Sequence, residues 1–327
     1  MMPSIGPIRP PSEAYSLLIR VTRGCPWNRC EFCSVFKDLA FSVRPIDDVK
    51  EDIRYFKRML NQVCEYAERT GSRIGDTARY NGMPWILDDG VNSAFIQDSD
   101  SLVTAPEQVI EVLAYLKETF PTIGRICTYA RGKTLNRRRL ADLKRLRDAG
   151  LTRVHIGLET GDPELLAYIN KGTTVEEMIA AGKKAVDAGF EVSEYVMPGL
   201  GGIEKWAQHA SRSAEALNGI NPHFIRLRSF HLPMGTPLFD KAKNEHFHIQ
   251  TIEGLITEVR RFISELDVDS YLVSSDYAHN YYLGEIDGQL PEEKARILSL
   301  VDKALAEWRE RGEPKRNPFL GALNPGN

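Results

Sequence analysis

Apolar positions along this chain alternate between two periods, and the alternation divides it into short strands and longer helices. Runs rich in β-branched and apolar residues recur at 17–21, 93–96, 125–129, 153–157, 191–196 and 224–229, each of strand length. Between them the period lengthens to that of a helix. Ile46, Val49, Ile53, Phe56, Leu60, Val63 and Ala67 follow one another by three and four, which puts an apolar stripe on one face of a long first helix. Thr104 with Glu107, and Thr174 with Glu177, have capping-box spacing and predict two helix starts. The segments "DAGL" at 148–151 and "DAGF" at 187–190 predict helices that stop on glycine and turn directly into a strand. Helical patterns over 251–266 and 291–309 flank a short apolar run at 271–273, and the tail from 312 is rich in Pro, Gly and Asn, as poorly ordered termini are.

After the first long unit, strands begin about every thirty residues, the size of a βα repeat, which predicts a parallel sheet with helices outside it. Six such units suit either an incomplete barrel or a doubly wound open sheet, and periodicity does not separate the two. The expected organisation is a core over 1–240 with a helical extension over 241–327 packed on it.

Composition narrows the function classes. With 327 residues, 42% of them apolar, the chain can bury a sizeable core. A formal charge of −3 gives no ground for nucleic-acid binding, and no apolar run approaches the ~20 residues of a membrane span. The first sixteen residues contain no apolar segment ending in small residues, so the expected compartment is the cytoplasm, where clustered thiols point to metal or catalysis before disulfides. The run "NRRRLADLKRLRDAG" at 136–150 reads as a solvated helix face.

Three of the five cysteines, Cys25, Cys30 and Cys33, fall within nine residues, "CPWNRCEFC". Iron–sulfur clusters take thiolate ligands, usually four, so three close cysteines without a fourth suggest a cluster with one iron open to a ligand from outside the protein. Cys64 and Cys127 stand alone and read as small buried hydrophobes. The stretch resembles the cluster loop of the radical S-adenosylmethionine (SAM) superfamily, in a subgroup near the Elp/MiaB-like and coproporphyrinogen-oxidase-like branches. The first gap holds four residues, "PWNR", where most members have three, which leaves the loop conformation open.

The resemblance implies an α/β fold, a partial (βα)6 TIM-like barrel with the cysteine loop after the first strand. It implies a [4Fe–4S] cluster on the three cysteines and SAM on the open iron. Phe32 is then near the adenine, and Gln97, Asp98 and Asp100 stand where the superfamily holds the SAM amino group, although an Asp/Ser-rich capping loop fits the same residues. Glu159 in "GLETG" falls where members place a polar residue against the ribose or methionine end, and the alternative is an exposed strand-end glutamate. Gly199 falls in the loop beside adenine, where a simple turn looks the same. Arg226 and Arg228 share a strand face, and Arg228 is the candidate for an anion. His279 and Asn280 are candidates for the substrate cavity, with His279 as the possible catalytic residue beside a structural alternative.

The activity so implied is reductive cleavage of SAM to a 5′-deoxyadenosyl radical that abstracts hydrogen from a small-molecule substrate. A methyltransferase using two SAM molecules stays open; a structural zinc protein leaves the repeated units and Glu159 without a role, and electron-transfer iron–sulfur proteins are usually smaller and give their clusters a complete thiolate set. Arg20, Arg23, Arg29 and Lys37 surround the loop with positive charge, which suits an acidic flavodoxin or ferredoxin as electron donor, or is scattered surface charge.

Overall fold

The computed structural model describes residues 2–312, so the tail from 313 onward lies outside the described residues. The described residues form two compact units: 2–26 with Asp38–His155 and Asp187–Phe190, and Trp27–Lys37 with Ile156–Val186 and 191–312.

In the first unit β1 (Leu17–Arg20), β2 (Ser93–Gln97) and β3 (Arg125–Ala130) pair in parallel, with Leu17 opposite Ala94 and Ala94 opposite Ile126. These strands are almost wholly buried, as parallel strands covered on both faces are. Past β1, Thr22–Arg23 pairs antiparallel with Ser42–Val43 and so closes the base of the excursion that carries the cysteines. The expected first helix is α1 (Ile46–Thr70); Asp47 and Asp48 complement its N-terminal dipole, and Gly71, at φ +69°, ends it. Its buried face is Val49, Ile53, Phe56, Val63 and Ala67. A short α2 (Ile74–Tyr80), which the sequence pattern did not announce, adds Ala78 to a small core with Val63 and Ile86, and Trp85 meets Phe56 edge-on at 5.5 Å.

The first capping box does not form. α3 (Pro106–Thr119) is preceded by Ala105, while Thr104 closes a 3₁₀ turn at Ser101–Val103 and its hydroxyl is buried without a partner. Pro106 decides the start, because its fixed φ is pre-organised for the first helical position. Then follow α4 (Gly132–Arg137) and α5 (Leu140–Asp148). The arginine-rich run does face solvent: Arg139 pairs with Asp142 and Arg145 with Glu107.

β4 (Arg153–Glu159) begins in the first unit and ends in the second. There α6 (Pro163–Tyr168) starts on Asp162, whose side chain accepts the Leu165 amide. The second capping box does form, ahead of α7 (Val175–Asp187): Thr174 accepts the Glu177 amide and Glu177 accepts that of Thr174, both at 3.2 Å. β5 (Glu191–Val196), α8 (Gly202–Ile220) and β6 (Phe224–Leu227) continue the alternation. α9 (Pro237–Lys243) and α10 (Ile252–Glu265) follow. The apolar run at 271–273 proves to be a seventh strand, β7 (Ser270–Val273), parallel to β6, and β8 (Gly288–Leu290) pairs antiparallel to it before α11 (Lys294–Arg311). The C-terminal extension is therefore not purely helical. Among the described residues no helix is long and apolar enough to cross a membrane.

Glu13, just before β1, is a fully buried hub of the first unit. Its carboxylate accepts from Ser16 at 2.6 Å and pairs with Arg125 at 3.2 Å, with Arg153 at 4.0 Å and His155 at 3.8 Å. Glu13, Cys127 and His155 bring ligand atoms within 4.8 Å of one another, but the two arginines already compensate the carboxylate, and a divalent cation there would leave excess positive charge in the core. Burial pushes the Glu13 pKa up; the hydrogen bonds from His155 and Ser16 and the Arg125 charge outweigh it and bring it from 4.5 to about 2. A depressed carboxyl pKa contributes stability above its unfolded value and loses it as pH falls through the folded one. Glu13 should accordingly contribute about 3 kcal/mol at neutral pH, lost between about pH 4.5 and 2. Denaturant midpoints measured from pH 6 to pH 2.5 should fall more steeply for the wild type than for Glu13→Gln; parallel curves would deny Glu13 this role.

Candidate functional site

In the first unit the cysteine loop leaves β1 through Gly24, at φ +78°, where a Cβ would meet the carbonyls of Leu39 and Ala40 at 3.2 and 3.4 Å. Asp98, fully buried at the end of β2, grips that residue. Its Oδ2 accepts from Arg20 Nε at 3.0 Å, Arg20 Nη2 at 2.6 Å and the Gly24 amide at 2.9 Å, while Ser99 donates to the Gly24 carbonyl at 3.0 Å. Gln97 takes both sides of the Gly6 backbone and the Ile8 carbonyl, strapping the N-terminal segment over Asp98. A Cβ on Gly6 would lie 1.8 Å from Asp98 Oδ1, an oxygen without a hydrogen-bond partner. Asp100 turns elsewhere, accepting from Thr134 on α4 at 2.6 Å, and burial raises its pKa to about 6. The three polar residues expected to converge on one ligand thus have three separate local anchors.

In the second unit Trp27–Lys37 forms a loop tied by its own polar groups. Lys37 Nζ donates to the carbonyls of Asn28 and Cys30 at 3.0 and 3.1 Å, Asn28 donates to the Phe36 carbonyl, and the Cys33 amide reaches the Cys30 carbonyl at 3.4 Å. Cys25, Cys30 and Cys33 are all half-buried; Cys127 is fully buried and Cys64 only partly so, as its place on α1 dictates. Phe32 sits edge-on to Phe230, against a core of Leu165, Ile169, Leu200 and Phe247, with Lys171 Nζ 5.9 Å from its ring centre. The expected basic collar is thinner than the sequence suggests: Arg20 is buried against Asp98, and Lys37 serves the loop itself.

Glu159 ends β4 in the left-handed region, φ +62°, and its Oε1 pairs with Lys171 Nζ at 2.7 Å. Gly157 allows this: a Cβ there would stand 2.1 Å from Glu159 Oε1. Beside the pair on β5 lies Glu194, fully buried, with neither carboxyl oxygen hydrogen-bonded; burial, then the Glu159 charge, raises its pKa well above the ordinary value. In the turn after β5 the Gly199 amide donates to Glu258 Oε1 at 2.9 Å, and His209 holds Thr160 and the Met197 carbonyl at 2.9 Å each. At the end of β6, Arg226 and Arg228 both pair with Asp276, at 2.5 and 2.7 Å, and Arg228 lies over the rings of Tyr195 and Tyr277. His279 stacks on His231 with ring centres 4.9 Å apart, while Asn280 ties Ser229 to the Leu227 and Ser274 carbonyls. Lys171, Glu194, Glu258 and Asp276 were missed in the sequence. Glu194 could have been found as a carboxylate inside an otherwise strand-like run; Asp276 meets its partners across about fifty residues and leaves no local sign.

The family model of the Radical SAM superfamily matches residues 80–210, a span that contains Asp98, Glu159, Lys171, Glu194 and Gly199. Residues 80–210, less than half of the chain, thus resemble a Radical SAM domain. The match begins after the three cysteines, whose loop resembles the superfamily's with a first gap one residue longer than in most members. Among characterised sequences, this chain is 36% identical over 63 residues to a tRNA uridine(34) acetyltransferase of Methanocaldococcus jannaschii, covering 19% of this chain and 12% of that one. It is 29% identical over 132 residues to a probable GTP 3′,8-cyclase of Methanococcus aeolicus, covering 37% and 39%. The chain thus spans well under half of either relative. Its fold is shared with Elp3 of Methanocaldococcus infernus (TM-score 0.50, 16% identity, 72% of this chain and 57% of that one). It is shared equally with the radical SAM methyltransferase TsrM of Kitasatospora setae (TM-score 0.50, 16% identity, 70% and 37%). The α/β architecture of parallel strands and covering helices is the one expected, and the resemblance of the chain's cysteine loop implies a [4Fe–4S] cluster and SAM. Its residues fit them: three thiols on one short loop suit the cluster, and a buried, unpartnered carboxyl beside an ion pair suits a polar, zwitterionic ligand.

Glu258 offers a test of how the turn after β5 is held. Burial raises its pKa to about 8 against the opposing Gly199 hydrogen bond. A raised carboxyl pKa means stability that is complete below the unfolded value near 4.5 and lost as pH climbs to about 8. Chemical denaturation from pH 5 to pH 8 should show a decline, on the order of a few kcal/mol, that Glu258→Gln removes; the same slope in both proteins would contradict it.

Proposed function

We propose that this protein binds its cluster through Cys25, Cys30 and Cys33 and holds SAM with Glu159, Lys171 and Glu194, to take a hydrogen atom from a small-molecule substrate. The observation that carries the reading is Glu194: a fully buried carboxyl with no hydrogen-bond partner, beside a half-buried ion pair, is a costly arrangement unless a ligand completes it. Lys171 supplies a cation for a carboxylate, Glu159 an acceptor for an ammonium or hydroxyl, and Glu194, pushed toward its protonated form by burial, a donor as well as an acceptor. Bound together, the cluster and SAM supply one-electron chemistry that generates an organic radical. The protein's part is to fix the ligand's polar end and keep water out.

Asp98 and Ser99 support the site by setting Gly24, the residue before Cys25. Phe32 offers an apolar edge to the ligand, and Gly199, held by Glu258, keeps the turn after β5 in place. Arg228, its charge compensated by Asp276, shapes the end of β6 with Tyr195, and the stacked His231 and His279 border the same strand end as candidate substrate contacts. Arg29, exposed beside the loop, remains for an acidic flavodoxin or ferredoxin in the cytoplasm.

Anaerobically reconstituted protein should carry about four irons and four sulfides, lost in Cys30→Ala and kept in Cys64→Ala and Cys127→Ala. After reduction it should release 5′-deoxyadenosine and methionine from SAM. Chromatography of the quenched reaction decides between readings, because S-adenosylhomocysteine in their place would mean methyl transfer. Glu159→Ala should keep the cluster and weaken SAM binding about ten- to a hundred-fold, the worth of one charged hydrogen bond; unchanged affinity would remove Glu159 from the site.

A further inference from the structure

The gap between Cys25 and Cys30 is one residue longer than in most superfamily members, and Trp27 stands in it. Its indole Nε1 donates to the Asn170 carbonyl at 2.7 Å. Its ring covers Gly172, where a Cβ would lie 2.4 Å from the indole; that glycine, at φ +73°, has room for nothing else. Arg29 lies over the ring, 5.3 Å from its centre. Two residues beyond, the Glu31 amide takes the Ile169 carbonyl at 2.9 Å, and Phe32 lies under the Lys171 ammonium. Residues 169, 170 and 172 are therefore each held by the cysteine loop. The residue they enclose is Lys171, whose ammonium meets Glu159.

From this we infer that Trp27 is a positioning residue for SAM: it fixes the turn at 169–172 and thereby sets Lys171 on Glu159, so that the lengthened cysteine gap and the polar end of the ligand site are one mechanical unit. The inference rests on the assignment of Lys171 and Glu159 to SAM. An ammonium at the end of a flexible four-carbon stem gains little unless its backbone is fixed; the amides of Ile169, Asn170 and Lys171 are tied back to Leu165, Ala167 and Leu166 at 2.9, 3.0 and 3.0 Å, and the cysteine loop adds the anchors for the Ile169 and Asn170 carbonyls and the open side of Gly172. The indole supplies both a donor for the turn's carbonyl and a flat wall for its glycine, which phenylalanine matches only in part.

The test is SAM titration of anaerobically reconstituted proteins, with the electron paramagnetic resonance spectrum of the reduced cluster recorded with and without SAM. Trp27→Ala should keep full iron and sulfide, lose roughly ten-fold or more in SAM affinity, and show a weakened response of the cluster signal to SAM. Trp27→Phe should recover part of the affinity. Gly172→Ala, which drives a Cβ into the indole, should reproduce the loss with Trp27 still present, and so decides the matter if Trp27→Ala proves unable to hold its cluster. Lys171→Ala is the reference. Combined with Trp27→Ala it should add little, because both act through one ammonium, and full additivity would overturn the inference. If Lys171→Ala binds SAM weakly while Trp27→Ala and Gly172→Ala, with full clusters, bind like wild type, Trp27 has no positioning role. If Lys171→Ala itself binds normally, the assignment beneath the inference has failed instead.

Discussion

A carboxylate buried at the end of β2 must have its charge compensated on the spot, and the first unit is arranged around how that is done. Asp98 takes the guanidinium of Arg20 and the amide of Gly24 on one oxygen. Desolvating such a pair costs several kcal/mol per ion, which the attraction and the added hydrogen bonds must return. Because neither partner can leave without exposing the other, the first residue of the cysteine excursion is held as firmly as the sheet. The glycine is required twice over, by its positive φ and by the carbonyls crowding the place of its Cβ.

The second unit solves a related problem differently. Glu159 and Lys171 neutralise one another, and burial pushes the Glu194 carboxyl toward its uncharged form. The three together bury two charges and several unused lone pairs in a place with little water, a condition in which each polar contact to a ligand is stronger than it would be at the surface. Arg226, Arg228 and Asp276 make a second compensated cluster at the end of β6, where two guanidinium groups share one carboxylate.

The strands and the long first helix were legible in the sequence because each is written in a local period that burial then enforces. All six expected strands exist, within two residues at their ends. Thr174 and Glu177 formed their box, whereas Thr104 and Glu107 did not, because a proline two residues on fixed the helix start and no spacing rule sees that. α2 escaped because seven residues give a period no room to repeat. The cysteines and Glu159 were legible as chemistry out of place in an apolar run. Lys171, Glu258 and Asp276 were not, since a lysine in a turn or an acid on a helix looks ordinary until the fold brings its partner from a distant part of the chain. Asp98 was visible, but its partner Gly24 was not, and that partner determines what it does.

The N-terminal segment has no regular secondary structure, yet its backbone is read residue by residue: Ser4 by Asp52, Ile5 by Arg20, Gly6 and Ile8 by Gln97. It behaves as an extra edge laid across the top of the first two strands, with Gly6 serving as the lid on Asp98. Residues at the very beginning of the chain therefore belong to the same cooperative unit as the support of the first cluster cysteine. A change at residues 4–8, a stretch without regular structure, would be felt at the base of the cysteine loop.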